Sequence, residues 1–333
     1  MSSLPLVSIL IPLYNEEHYI EKTIESCLSQ TYPNIEVIVV DDHSTDHSLV
    51  LAQKHESERV HVLVNPDKGA CAARNYAFSQ SKGEYVKFHD ADDYCTPGLI
   101  ERQMTRMLED GDENTIVYSP LRICNLPEST ETERVNLTND FSPAMDYAIA
   151  LWKHYGINWH SILYLFHRSA VEKAGGWSSQ YPIYEDAEFI INILKQSSKI
   201  ICAAGEYGVW RVFNDQKHLH SLVSKDIQKR EADGLFHIAS EILAYRDTPE
   251  TKKICEQFIS NHIYHHIEKF ISISDYLRKK FDQQNLAWIQ YKTPKAPFLF
   301  SILGWERTTY LIRKWKSFQK AVSSLIRNKS NSL

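Results

Sequence analysis

Apolar and polar positions follow two alternating rhythms through the first third of the chain. Short unbroken apolar runs rich in β-branched residues appear at "LVSILIPL" (6–13), "IEVIVVDD" (35–42), "VHVLV" (60–64), "EYVKFHD" (84–90) and "TIVYSP" (115–120). Between them lie helical patterns at 17–30, 46–56, 70–81 and 97–109. Continuous apolar strands are expected when both faces of a sheet are covered, and strand–helix alternation predicts right-handed crossovers. The predicted fold class is therefore α/β, a mostly parallel central sheet flanked by helices.

The pattern weakens further on. Residues 125–142 are polar and read as a loop. A helix over 143–155, a strand over 161–167, a helix opening at "YEDAEFIINIL" (184–194) and a β segment over 200–212 follow. Beyond about residue 225 the pattern is helical, which places a domain boundary near 215–225. The predicted division is an α/β domain over 1–222 and a helical region over 223–333.

Parallel sheets of this kind take ligands at the carboxyl ends of their strands. Those ends are polar here: Tyr14, Asn15 and Glu16 after the first strand, Asp41 and Asp42 after the second, Asn65 and Asp67 after the third, and Asp90, Asp92 and Asp93 after the fourth. Like charges crowded at one rim must be solvated or neutralised. The rim reads as a ligand site that takes a cation.

Charge distribution adds one feature. The formal net charge is -5. From Arg278 onward there are twelve Lys or Arg against only Asp282 and Glu306, so a basic appendage follows an acidic body. Six cysteines stand without a CxxC pair, mostly in apolar runs, and read as buried free thiols in a cytosolic setting. "LPLVSILIPLY" is too short to span a membrane and lacks a basic leader, so it is not read as a signal peptide.

"HDADD" alone has three readings. An isolated DxD is usually a solvated acidic loop. A calcium loop fails because Tyr94 and Cys95 stand where an oxygen ligand and a glycine are needed. A carboxylate pair holding Mg²⁺ or Mn²⁺ against a diphosphate suits a strand end, since such ions complete their shell with phosphates and water. An "ED" pair at a helix start, Glu185 and Asp186, is by itself only favourable dipole charge.

Taken together, "SILIPLYNEEHYIEKTIESCLSQTYPNIEVIVVDDHSTDHS", "NPDKGACAARNYAF", "GEYVKFHDADD" and "YEDAEF" resemble the family 2 glycosyltransferases of the GT-A fold, over roughly residues 5–215. The resemblance implies inverting transfer from a nucleoside-diphosphate sugar, usually UDP-linked and metal-dependent, with a donor half over about 1–120 and an acceptor half over about 121–222. It implies that Pro12, Tyr14 and Asp41 or Asp42 contact the nucleoside, and that Lys68, Gly69 and Arg74 lie at the base or diphosphate. Asp90, Ala91 and Asp92 match the DxD segment, with Asp90 and Asp92 as ligands of Mn²⁺ or Mg²⁺ and Asp93 behind them. Asp186 matches the catalytic base and Glu185 its acidic neighbour. Arg211, His218 and Ser221 fall in a lid-like segment at the diphosphate, His218 also joining the metal set. The family usually has glycine where His43 stands, which questions that turn. Trp177 is a candidate for the acceptor pocket or for the core.

Two rival classes are carried forward. A nucleotidyltransferase would show a Gly- and Arg/Lys-rich phosphate loop near the first strand, and "IPLYNEE" has none. A non-catalytic sugar-nucleotide-binding protein would hold Asp186 far from the metal site. A dehydrogenase would need GxGxxG, which is absent after the first strand. The expected acceptor is a glycan or lipid-linked glycan of bacterial surface polysaccharide synthesis, and no nucleic-acid partner is expected. Residues 296–327 pair an apolar stripe with a basic face, which fits either peripheral attachment to an anionic membrane surface from the cytoplasmic side or a helix packed on the protein's own core with a solvated basic face.

Overall fold

The computed structural model describes residues 4–287 except 127–129, 134–136, 155–158, 182, 214–223, 266–269 and 271–272. The chain divides into two compact units, Met1–Ser221 and Leu222–Leu333.

In the first unit the apolar runs become strands β1 (Val7–Leu13), β2 (Ile35–Asp41), β3 (Val60–Val64) and β4 (Tyr85–Phe88), alternating with helices α1 (Ile20–Leu28), α2 (Ser48–Gln53) and α3 (Ala70–Gln80). After a short strand β5 (Tyr94–Cys95) come α4 (Leu99–Asp110) and β6 (Thr115–Tyr118). Strands β7 (Leu121–Leu126) and β8 (Thr130–Glu133) follow, then α5 (Asp146–Lys153), a 3-10 turn over Ser161–Leu163, β9 (Tyr164–His167), α6 (Arg168–Ala174), α7 (Glu185–Gln196), β10 (Lys199–Cys202) and β11 (Gly208–Phe213).

Seven strands form the central sheet in the order β10-β6-β9-β4-β1-β2-β3. All neighbours are parallel except β9, which runs antiparallel to β4 and β6. Register sets the working rim. Leu13 lies beside Asp41, and Leu10 beside Phe88, so the segments leaving β1, β2 and β4 emerge along one edge. Both faces are covered, and Val7, Ile9, Ile11, Leu13, Val37 and Val39 are buried against Ile20, Ile24 and Met104. This is the mixed α/β architecture that the run pattern predicts.

The polar stretch expected to be loop over 125–142 is partly strand. β7 and β8 pair antiparallel in a second sheet of order β5-β11-β7-β8, in which β11 runs parallel to β7. The single β segment read at 200–212 is likewise two strands, β10 in the central sheet and β11 in the second. A fully buried lysine, Lys87 on β4, donates to the carbonyls of Ile162 and Tyr164 and to Gln103 Oε1, tying β4 to the segment that opens β9 and to α4. All six cysteines are buried free thiols.

The second unit contains helices α8 (Lys225–Tyr245), α9 (Pro249–His265) and α10 (Ser274–Gln283). Leu235, Ile238, Ile242, Ile259 and Leu277 are buried, and Asp233 accepts from both Tyr276 and Lys280. No helix among the described residues is long and apolar enough to cross a membrane.

Candidate active site

The rim loops are held to one another by their own side chains. After β1, the Asn15 amide N–H donates to Ser44 Oγ, and Asn15 Oδ1 accepts from the Thr45 amide at 2.7 Å. The Glu16 amide donates to Ser48 Oγ, the Glu17 amide to Asp46 Oδ2, and the His47 amide to Glu17 Oε2. Asp42 accepts from the Gly69 amide and from Asn65 Nδ2, which draws in the loop before α3. Gly69 sits at φ 100°, a conformation glycine adopts without cost. His43 adopts φ 65° where glycine would be easier, and its Nε2–H donates to the Asp67 carbonyl at 2.9 Å. The turn survives the replacement because a hydrogen bond offsets the strain.

Asp41 is buried, with Oδ2 accepting from the Ser44 amide and Oδ1 enclosed without a partner among the described residues. Tyr14 is 55% exposed, Lys68 and Gly69 are exposed, and Pro12 is half-buried at the end of β1. These residues form the open side of the rim.

The DADD turn after β4 is fixed from behind. Thr23 on the buried face of α1 donates its hydroxyl to the carbonyls of Ala91 and Asp93, each at 2.8 Å. Buried Arg211 on β11 donates Nη1–H to the Asp92 carbonyl at 2.7 Å, and its own amide donates to Asp93 Oδ1. Its guanidinium lies 4.6 Å over the Tyr94 ring. Asp93 is therefore the internal anchor of the turn, while Asp90 and Asp92 are half-buried on the rim.

Across from Asp90 stands the start of α7. Arg74 on α3 bonds Asp90 Oδ1 through Nη2 at 2.8 Å and Glu185 Oε1 through Nη1 at 2.9 Å. The sequence motifs DxD and ED thus meet on one guanidinium. Residues 8–172 match the family model "Glycosyl transferase family 2". The chain belongs to glycosyltransferase family 2. The putative teichuronic acid biosynthesis glycosyltransferase TuaG of Bacillus subtilis is 43% identical over 108 residues, 32% of this chain and 43% of TuaG. The UDP-Glc:alpha-D-GlcNAc-diphosphoundecaprenol beta-1,3-glucosyltransferase WfaP of Escherichia coli is 45% identical over 100 residues, 30% of this chain and 40% of WfaP. The chain thus spans less than half the length of these curated relatives. The crystal structure of S. aureus TarS 1-349 in complex with UDP superposes with a TM-score of 0.59 at 20% identity, covering 80% of this chain and 74% of that one, a likeness of fold.

In this family 2 domain the electrostatics are uneven. Burial opposes ionisation of Asp90, but the bonded Arg74 outweighs it and holds the carboxyl below its ordinary value. Burial pushes Asp186 up to about 8; Arg74 pulls it down, while Asp90 and Glu185 add to the rise. Asp186 Oδ1 is enclosed and accepts no hydrogen bond among the described residues. Glu16 is also raised to about 8, by burial first and then by Asp92, Asp46 and Asp90. Burial holds His89 down to about 4, so that imidazole is neutral.

Among the described residues no group of three His, Cys, Asp or Glu forms a ready ligand cluster. The donor set nevertheless suits a hard divalent ion. Asp90 and Asp92 offer carboxylate oxygens at a rim where burial first, and then the charges of Asp92, Asp46 and Asp90, raise the Glu16 carboxyl. One or two carboxylates are what Mg²⁺-type sites in phosphate-binding proteins use. His218 and Ser221 lie outside the described residues.

Trp177 turns out to be core. It is 5% exposed, stacks on Phe189 at 4.1 Å and lies under Arg74 at 4.4 Å. Three participants escaped the motif reading. Thr23 carries no signal beyond a polar residue in the apolar stripe of α1. Asn75 donates to the Trp177 carbonyl and accepts from its amide, and it stands in the quoted "ARN". Glu16 stands in the quoted "YNEE" but takes its character from burial first and then from acids distant in sequence.

Proposed function

We propose that the chain transfers a sugar from a nucleoside-diphosphate sugar, UDP-linked in the first instance, to a hydroxyl of a glycan or lipid-linked glycan in bacterial surface polysaccharide synthesis, with inversion at the anomeric carbon. The observation that carries this reading is the convergence of Asp90 and Glu185 on Arg74, which sets Asp186 beside the DxD rim. A non-catalytic binding protein has no need of that juxtaposition. The names of WfaP and TuaG support the donor and the polysaccharide setting, and the UDP complex of TarS supports the nucleotide.

Pro12, Tyr14, Asp41 and Asp42 flank the nucleoside, where carboxylates can accept from a base N–H and ribose hydroxyls. Lys68 and Gly69 close that side. Asp90, Ala91 and Asp92 face the diphosphate, on a turn that Arg211 and Thr23 hold rigid. Asp90 and Asp92 would hold Mn²⁺ or Mg²⁺, with His218 a further ligand candidate. Such an ion, when bound, supplies positive charge to the departing diphosphate. Asp186 accepts the proton of the acceptor hydroxyl as that oxygen attacks the face opposite the leaving group. Glu185, held by Arg74, fixes the first turn of α7 and so the position of Asp186.

A panel of nucleotide sugars with Mn²⁺ tests the reading through release of the nucleoside diphosphate. One or a few donors are expected to turn over, excess EDTA to stop the release and Mn²⁺ or Mg²⁺ to restore it. Asp92→Asn should weaken donor binding as well as turnover. No release from any donor would overturn the transferase reading, and full activity in EDTA the metal role.

A further inference from the structure

We infer that Arg74 is a positioning residue, the clamp that fixes the separation between the donor-side carboxylate Asp90 and the acceptor-side pair Glu185 and Asp186, rather than a ligand of the donor's phosphates. The words donor-side and acceptor-side rest on the function proposed above; the clamp itself rests on geometry.

Arg74 is 5% exposed. Its two terminal nitrogens are committed to different carboxylates, one leaving β4 and one opening α7. Its Nε is enclosed and has no partner among the described residues. The guanidinium rests on Trp177, which is stacked in turn on Phe189 of α7. The next residue of α3, Asn75, grips the main chain of Trp177 with two hydrogen bonds. Gly176 packs so tightly there that an added Cβ would stand 2.7 Å from Asn75 Oδ1. One turn earlier, Cys71 Sγ lies 3.2 Å from the Ser178 carbonyl and 3.4 Å from Glu185 Oε2. Residues 71, 74 and 75 stand at i, i+3 and i+4, one face of α3. That face holds Trp177 and Ser178 at their main chain, Trp177 also at its indole, and Glu185 at its carboxylate.

A planar guanidinium suits this task because its N–H directions are fixed, so two carboxylates bonded to it are fixed relative to each other. A lysine would supply the charge without the fork. The groups facing Asp186 are Arg74 and Cys71 of α3, Asp90 after β4, Tyr164 of β9 and the adjacent Glu185. Arg74 is the cation among these.

The test compares Arg74→Lys and Arg74→Gln in the full chain. Affinity is read by titration with UDP, or with the diphosphate released from the preferred donor, in EDTA, so that any shift of Asp90 as a metal ligand does not enter; kcat is read in Mn²⁺ across pH. A clamp predicts diphosphate affinity within about threefold of wild type and kcat reduced by about 10²-fold, the cost of a misplacement near 1 Å. The acid limb of the profile should move to higher pH in Arg74→Gln and stay in place in Arg74→Lys. Loss of more than about tenfold in diphosphate affinity in both variants would make Arg74 a phosphate ligand, and unchanged kcat would make it dispensable; either overturns the inference. If Arg74→Gln does not fold, Arg74→Lys carries the affinity and kcat comparison, and Asn75→Ala must reproduce the loss in kcat alone. If the wild-type chain releases no diphosphate from any donor, the proposed function fails and thermal unfolding reads the clamp instead. Arg74→Lys, Glu185→Gln and their double variant should then be strongly non-additive, and additivity would overturn the clamp.

Discussion

Asp186 is placed under two opposed demands. As the proposed base it must be ionised, yet burial holds its carboxyl up to about 8, and among the described residues Arg74 works the other way. For the substrate-free chain this sets a rising limb: kcat/KM should increase with pH up to about 8 as the carboxyl loses its proton. Asp186→Asn should remove about 10²–10⁴ in rate with little change in donor affinity. The same burial shapes stability. Between the ordinary carboxyl value of 3.8 and about 8 the folded chain holds a proton that the unfolded chain has released, so stability falls as pH rises through that window. Asp186→Asn lacks this loss. Measured in EDTA, its Tm relative to wild type should climb from pH 4 to pH 8 and then level off; a constant difference would contradict the burial account. His43 offers a simpler balance. Its left-handed backbone costs roughly 1–2 kcal/mol relative to a relaxed residue, against about 1 kcal/mol for its bond to Asp67. His43→Gly should therefore be near neutral in Tm, while His43→Ala, which keeps the strain and loses the bond, should be destabilised by about 1 kcal/mol.

At the scale of elements, the DADD turn is a loop that behaves as part of the core because α1 and β11 hold its carbonyls. Thr23→Val is nearly isosteric and leaves the carbonyls of Ala91 and Asp93 without that donor. The cost should be about 1–3 kcal/mol in unfolding free energy, accompanied by weaker binding of diphosphate and Mn²⁺; a stability loss with unchanged binding would show that the turn keeps its shape without α1. The elements legible in the sequence were β1 to β4 and the helices between them, which announced themselves as apolar runs and amphipathic stretches; β1, β2 and β4 are covered on both faces, and the edge strand β3 is half-buried. What stayed hidden depended on distant pairing. β8 is "TETE", a sheet-edge strand with no apolar signature, and it exists because β7 offers a hydrogen-bonding edge. β11 follows β10 closely in sequence but joins β7 in the other sheet, a choice made by register and invisible to local periodicity. The buried Lys87 lies within a run read as strand, and what allows its burial, the carbonyls of Ile162 and Tyr164 around it, is not visible in the sequence. The site motifs were legible as motifs, but the side chains that join them were not, since nothing local says that Arg74 spans Asp90 and Glu185.

At the scale of the whole molecule, the family match ends at residue 172 and the basic charge gathers far beyond it. Residues 296–327 lie outside the described structure, so the reading rests on their sequence. Spaced at about 100° per residue, Leu311, Trp315, Phe318, Val322 and Leu325 share a narrow stripe, and Arg313, Lys316, Lys320 and Arg327 share the opposite side. "APFLFSILGW" precedes this stretch and adds apolar surface in a run too short to span a bilayer. An apolar stripe with Trp and Phe opposite a Lys/Arg face is the pattern of an interfacial helix. Each basic residue near anionic lipid contributes on the order of 1 kcal/mol, so four charges and the stripe together would suffice to keep the enzyme at a surface where the proposed lipid-linked acceptor would reside. The second unit indicates where to cut. Leu286 is buried and the Ala287 amide donates to Glu256 Oε1 at 2.7 Å, so a chain ending at Ala287 retains the last described contacts of that unit. Such a chain should keep its Tm and its nucleotide release from the donor while losing co-sedimentation with phosphatidylglycerol vesicles at low salt. The full chain should bind those vesicles and be released as ionic strength rises, because the attraction falls within a Debye length. A full chain that ignores anionic vesicles at low salt, or a truncated one that unfolds, would make the segment part of the protein's own packing and remove the membrane from the account of how acceptor is found.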